Sequence, residues 1–388
     1  MLANRKNSKY IHNFWLPRLL FSYRNNNQPI KEIFLYDVTS SYFEGDKNEL
    51  AAYGYNRDKK SGKKQIVIGL LTDNQGYPVS VEVFKGNTGD TQTVSNQLQK
   101  LKENFGVERV VFIGDKGMIK SGQIEEITSD EYKWNYLTTI TKQQIRTLLA
   151  KNAIQLELFE DEIIEVESEN GIRYILRRNP IRAEELKTNR ESKIDFVKEF
   201  VKKQNTYLKE HKRADPDVAL RKVNEKVSKL KLKKIIITTI DKRTIRLKID
   251  NDEQQEQEKL DGCYVVKTNV PKEILDTKTA HDRYKDLAKV EFAFRTMKTT
   301  LEKIRPIYVR KEERTRGHVF VAMLAYMIVK YITDKLSDLD YSRKFVFESL
   351  DKINYLEYTY NKEKVNIVPQ NLLGHQKEII EMLNIKLK

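Results

Sequence analysis

An acidic residue sits in the middle of a strand-forming run. Residues 32–43 are rich in β-branched and aromatic side chains, which predicts a strand. Alternation puts Ile33, Leu35, Asp37 and Thr39 on one face, and Phe34, Tyr36 and Val38 on the other. A carboxylate inside so apolar a strand costs free energy unless donors or a cation compensate it. Asp37 is therefore either held by backbone N–H groups or an arginine, or it is a metal ligand.

The residues that follow extend the strand into a sheet. Two further strands, 65–72 and 79–84, are joined by the turn Asp73-Asn74-Gln75-Gly76 and predict an antiparallel meander. The loop Gly86–Thr91 leads into a predicted helix over 92–104, with Asp90 or Thr91 as the capping oxygen. Residues 107–113 form a continuous apolar run, the pattern of a strand buried on both faces. That run ends at Gly114-Asp115-Lys116-Gly117. Asp115 thus stands at the carboxyl end of a strand, where sites gather in α/β sheets, or it serves the tight turn. A short helix near 121–127 and a strand near 133–140 complete an order of three strands, helix, strand, helix, strand. This predicts an α/β fold with one mixed sheet flanked by helices.

The pattern changes at residue 142. Residues 142–260 hold predicted strands near 163–167, 172–178, 234–240 and 244–249 around a long charged helical stretch. Between Ile181 and Lys234 there are 17 Lys/Arg against 9 Asp/Glu, a net of +8. We read this region as an inserted α+β subdomain, with Gln254–Lys259 as a polar hinge. A strand over 260–269 and helices over 279–301 and 315–336 follow. The first of these helices carries a buried stripe of Leu287, Val290, Phe294, Met297 and Leu301. Beside the stripe, Tyr284, Glu291 and Lys298 fall within about 40° of one another around a continuous helix axis. Glu291 and Arg295 are also spaced as an i, i+4 surface ion pair. The expected organisation is a basic arm (1–32), a first core segment (33–141), the insertion (142–260), a second core segment (261–340), and a C-terminal region (341–388) that is a candidate oligomer contact.

Charge narrows the partners. The 71 Lys/Arg exceed the 56 Asp/Glu by 15, which points to a polyanion. The single cysteine, Cys263, excludes an internal disulfide and a Cys-based zinc site, and the five histidines are scattered. The longest apolar run, Val319–Val329, is too short to span a bilayer, and no secretory leader follows the basic N-terminus. A cytoplasmic, nucleoid-associated protein is expected.

The blocks Tyr36-Asp37-Val38-Thr39-Ser40, Gly86–Asp90, Gly114–Met118, Asp261-Gly262 to Thr268-Asn269 and Tyr284–Lys298, in this order, resemble the signature blocks of bacterial insertion-sequence DDE transposases. The subgroup resembled carries Y-x-x-R-x-x-x-E-x6-K; Tyr284, Glu291 and Lys298 match it, while Leu287 stands at its arginine position. The resemblance covers roughly residues 33–340. It implies an RNase H-like core interrupted by an insertion before the Glu-bearing helix. It implies Asp37, Asp115 and Glu291 as the catalytic, metal-binding triad for two Mg²⁺ or Mn²⁺ ions, and Tyr284, Arg295 and Lys298 as DNA contacts. Three carboxylates from two strands and a helix suit two-metal phosphoryl transfer. The implied activity is phosphodiester hydrolysis and strand transfer on double-stranded DNA, at element ends and target, by a homodimer. Only 36 residues precede Asp37, fewer than the N-terminal DNA-recognition domain such enzymes usually carry, so a truncated or split product is expected. The rival readings are a transposase-derived DNA-binding protein without catalysis and a different RNase H-like nuclease.

Overall fold

The computed structural model describes residues 31–60, 62–105, 107–159, 163–299, 308–353, 356–360, 363–367 and 372–386. The expected basic arm therefore lies, up to residue 30, outside the described residues. The chain builds one unit from the segment ending at Trp134 together with Asp286–Lys388, and a second from Asn135–Lys285.

The first unit opens with β1 (Lys31–Tyr42), β2 (Gln65–Asp73), β3 (Pro78–Lys85), α1 (Val94–Phe105), β4 (Arg109–Ile113) and α2 (Ser121–Thr128). Its strand order is β3-β2-β1-β4. β1 runs antiparallel to β2, β2 antiparallel to β3, and β1 parallel to β4. The meander and the following buried strand are thus as expected. β1 and β2 are buried on both faces: Phe34, Leu35, Tyr36, Leu70 and Leu71 are all solvent-inaccessible. Burying each such side chain contributes about 1.5–3 kcal/mol. Gly69 is required here, because a Cβ at that position would sit 2.3 Å from the Tyr36 hydroxyl.

The start of α1 differs from expectation. A 3₁₀ turn, Asp90–Thr93, precedes the helix, and Gly89 occupies the cap position with no side-chain capping bond. Asp90 is unavailable as a cap because both its carboxylate oxygens accept from Arg57 Nη2, at 2.5 and 2.6 Å.

The second unit contains β5 (Asn135–Thr139), α3 (Lys142–Ala150), β6 (Ile164–Glu167), β7 (Arg173–Arg178), α4 (Pro180–Glu210), α5 (Pro216–Lys229), β8 (Ile236–Asp241), β9 (Thr244–Ile249), α6 (Asn251–Glu258), β10 (Cys263–Thr268) and α7 (Thr277–Lys285). Strands β5-β10-β7-β6 are antiparallel throughout. Arg173, the first residue of β7, is buried and bonded to both Glu165 oxygens and to the carbonyls of Val270 and Leu275. The charged stretch forms a separate layer. There α4, α5 and the β8–β9 hairpin enclose Ile194, Val197, Val201, Val223, Val227, Ile236 and Ile245. Asn179 caps α4 by accepting from Arg182 N at 3.0 Å, and Pro180 takes the first helical position. Residues 254–258, expected in a hinge, lie instead in α6. Asp250 caps that helix, and its Gln and Glu residues are good helix formers.

The chain returns to the first unit with α8 (Leu287–Thr299), α9 (Glu312–Lys335), α10 (Arg343–Asp351), the hairpin β11 (Leu356–Tyr360) and β12 (Glu363–Ile367), and α11 (Gly374–Met382). The helix expected over 279–301 is broken at Asp286. That residue sits at the cap of α8, with its carboxylate paired to Lys289 at 2.8 Å. Leu287 becomes the first residue of α8 and is only half-buried, while Val290, Ala293, Phe294 and Met297 face the sheet. α8 packs on β1 and β2, and α9 on β3. Glu82 of β3 pairs with Lys100 of α1 and Arg316 of α9, fixing both helices to that strand. Among the described residues no helix is long and apolar enough to cross a membrane.

Candidate active site

Strand pairing decides the position of the two aspartates. Leu35 and Ile113 are register partners in the parallel pair β1–β4. Asp37 and Asp115 each stand two residues further on, so they extend from adjacent strands about 4.8 Å apart. Asp115 lies just beyond the end of β4 and heads a turn. Its Oδ1 accepts from the N–H groups of Gly117 (2.8 Å) and Met118 (3.0 Å), and the side chain is exposed. The turn role and a site role are therefore compatible in the same residue.

Asp37 is the electrostatically distinctive group. Its Oδ1 accepts from Val38 N at 2.7 Å. Burial, followed by the negative charges of Asp115 and Glu291, pushes its carboxyl up from 3.8 to about 7; the Val38 N–H and the Arg57 guanidinium act in the opposite sense. Glu291 projects from the solvent side of α8 and is felt at Asp37. The structure thus brings Asp37, Asp115 and Glu291 into one electrostatic neighbourhood.

Lys298, in the last turn of α8, is held inward. Its Nζ donates to Thr39 Oγ1 (2.7 Å) and to the Ser40 carbonyl, and it pairs with Asp58 at 3.2 Å. Both members of the pair are about nine-tenths buried, with side-chain exposures of 10% and 9%. Arg295 is exposed on the same helix. Tyr284 belongs to α7 in the second unit, where its hydroxyl is 3.0 Å from Thr139 Oγ1. The single helix expected to carry Tyr284, Glu291 and Lys298 is interrupted at Asp286, between Tyr284 and Glu291.

Sequence reasoning read residues 53–64 as a polar loop but missed the parts that Arg57 and Asp58 play at the site. Arg57 holds Asp90 and lowers the Asp37 carboxyl, and Asp58 holds Lys298. The loop is pinned by Arg57 N donating to Ser40 Oγ (2.9 Å) and Tyr42 N to Asp58 Oδ2 (3.1 Å). Gly54 meets Gly86 so closely that a Cβ would lie 2.2 Å from the Gly86 carbonyl oxygen. The available signal was an Arg-Asp pair in a glycine-flanked loop directly after the acid-bearing strand.

The sequence matches the transposase DDE domain over residues 28–328. The chain belongs to the DDE transposase family. No curated protein matches it. Among solved structures, it is similar to a piggyBac transposase synaptic complex with hairpin DNA, with a TM-score of 0.41 and 9% identity over 84% of this chain and 52% of that one. The chain therefore spans about half the length of that relative, and the likeness is too low to carry its function across.

DDE transposases generally use divalent metals. Asp37, Asp115 and Glu291 offer the hard oxygen donors that Mg²⁺ prefers, and the Asp37 carboxyl is raised by burial first and then by its two acidic neighbours. Among the described residues no three acidic, His or Cys side chains already converge on one metal position. The DDE domain thus fits a metal by donor chemistry, with the carboxylates placed by the backbone and not closed into a cage.

Proposed function

We propose that this chain is the catalytic core of a DNA transposase, performing metal-dependent phosphodiester hydrolysis and strand transfer at the ends of an insertion sequence. The observation that carries the reading is the parallel pairing of β1 and β4, which sets Asp37 beside Asp115 inside a DDE domain. Asp37, Asp115 and Glu291 would hold one or two Mg²⁺ or Mn²⁺ ions, which supply Lewis-acid activation of the attacking oxygen and stabilise the leaving one. Asp37 must lose its proton to serve, so its raised pKa couples readiness to pH. The Asp115 turn fixes that carboxylate before substrate arrives. Lys298 ties the last turn of α8 to β1, and so positions Glu291 against the aspartates.

DNA is the substrate in this reading, favoured by the +15 charge. Tyr284, Arg295 and Lys298 are assigned as contacts to its backbone; for Lys298 such a contact exchanges with the Asp58 pair. A homodimer on DNA, with residues 341–388 as a candidate contact, and a cytoplasmic, nucleoid-associated location complete the proposal. The test is a plasmid assay in Mg²⁺ or Mn²⁺ comparing the chain with Asp115→Asn. Nicked and joined products made by the parent alone support a transposase, whereas nicking without joining supports a simple nuclease. DNA binding without cutting by either protein supports a non-catalytic derivative.

A further inference from the structure

The second unit carries a cationic groove that is built entirely from its own residues. Helix α4 is 31 residues long, about 46 Å. Ile194, Val197, Val201 and Leu208 turn one face of it into the local core. Beside that face, Lys198, Lys202, Asn205 and Lys209 follow a 4-3-4 spacing, so they form one stripe about 16.5 Å long, and Lys212 follows in the turn just past the end of the helix. The stripe walls a groove of about 830 Å³, with Arg243 and Thr244 on the opposite side.

The charges in this groove are not spent equally. Arg243 Nη2 donates to the carbonyls of Leu208, His211 and Ala214, so its role is to close the end of α4. Lys198 pairs with Asp195 across an exposed surface, a contact that screens readily. Among the described residues, Lys202, Lys209 and Lys212 make no ion pair, and no carboxylate lines the groove. The like charges of Lys198 and Lys202, at i, i+4 on one helix face, oppose helix stability. An elongated polyanion removes that repulsion. Over about 16.5 Å, one strand of duplex DNA presents about five phosphates at 3.4 Å of axis each.

We propose that the Lys198–Lys202–Lys209–Lys212 stripe is a second DNA-binding surface, which holds duplex backbone phosphates without reading sequence. This rests on the reading of the chain as a DNA-acting protein. The test is fluorescence anisotropy of the full chain on a random-sequence 30-mer duplex over a salt series. The stripe variant carries Lys→Gln at 198, 202, 209 and 212. A charge-matched control carries Lys→Gln at the exposed residues 203, 222, 229 and 233, which do not line the groove. Thermal melts confirm that both remain folded.

Each lysine that neutralises a phosphate adds about 0.9 to the slope of log affinity against log salt, so removing all four lowers that slope by about 3–4 for the stripe variant alone. The parent's advantage over that variant then shrinks about 100-fold between 50 and 200 mM salt. Equal slopes for stripe and control variants overturn the proposal while leaving the DNA-acting reading intact. Absence of DNA binding by the parent overturns both.

Discussion

Asp37→Asn should make the metal-free protein more stable while abolishing its chemistry. In the folded chain the Asp37 carboxyl is raised from 3.8 to about 7, first by burial and then by Asp115 and Glu291. A carboxyl whose folded pKa lies above its unfolded one favours folding only while protonated. The cost of ionising it grows from about pH 4 and is complete once the pH passes 7. The three-unit shift corresponds to about 4 kcal/mol at pH 8 as an upper bound, and solvent screening of this partly exposed group halves that to roughly 2 kcal/mol. Asparagine keeps the Oδ1 acceptor for Val38 N and never ionises. In EDTA the variant should therefore melt a few degrees above the parent at pH 8, with the gap shrinking at pH 5 and vanishing near pH 4. Differential scanning calorimetry across that series reads the effect directly. A variant that melts at or below the parent at pH 8 would refute the electrostatic account of Asp37.

Three other substitutions test the scaffold. Lys298→Met leaves the Asp58 carboxylate buried without its cation and should cost about 3–5 kcal/mol in chemical denaturation, with the Lys298→Met/Asp58→Leu double variant recovering much of it. Arg173→Met should cost a similar ~3–5 kcal/mol, because Glu165 and two carbonyls lose their donor together. The Glu165 carboxyl, held low against burial by Arg173 and Thr277, should then titrate higher by NMR. Gly69→Ala drives a methyl group against the Tyr36 ring and should cost ~1–3 kcal/mol; Tyr36→Phe in the same chain should return part of that by removing the hydroxyl 2.3 Å from the new Cβ.

The parts of this protein that were legible from sequence are those written in local pattern. Alternation in β1, the turn at Asp73–Gly76 and the apolar run into β4 define a meander and a buried strand without long-range information. That β1 and β4 are parallel neighbours, which brings Asp37 and Asp115 onto adjacent strands, is a long-range pairing that only the folded sheet shows. The helix break at Asp286 was obscured because Tyr284, Glu291 and Lys298 keep a helical spacing across it and no glycine or proline interrupts 279–301, although aspartate is itself a strong cap signal. Residues 254–259 read as a hinge from polarity alone, yet a capped run of glutamine and glutamate is helical. The Arg57–Asp90 and Lys298–Asp58 pairs were illegible for a different reason. Their partners are 33 and 240 residues apart, and only the folded sheet brings them together.

The central claim is that Asp37, Asp115 and Glu291 share one metal centre, and iron-directed cleavage of the polypeptide tests it without any DNA. Fe²⁺ replacing Mg²⁺ generates hydroxyl radicals, with ascorbate and peroxide, that cut the backbone close to the ion. The account predicts fragments ending near residues 37, 115 and 291, all suppressed by excess Mg²⁺ and weakened together by Asp115→Asn. Cutting at only one of the three segments, or a pattern that Mg²⁺ does not suppress, would contradict a shared centre.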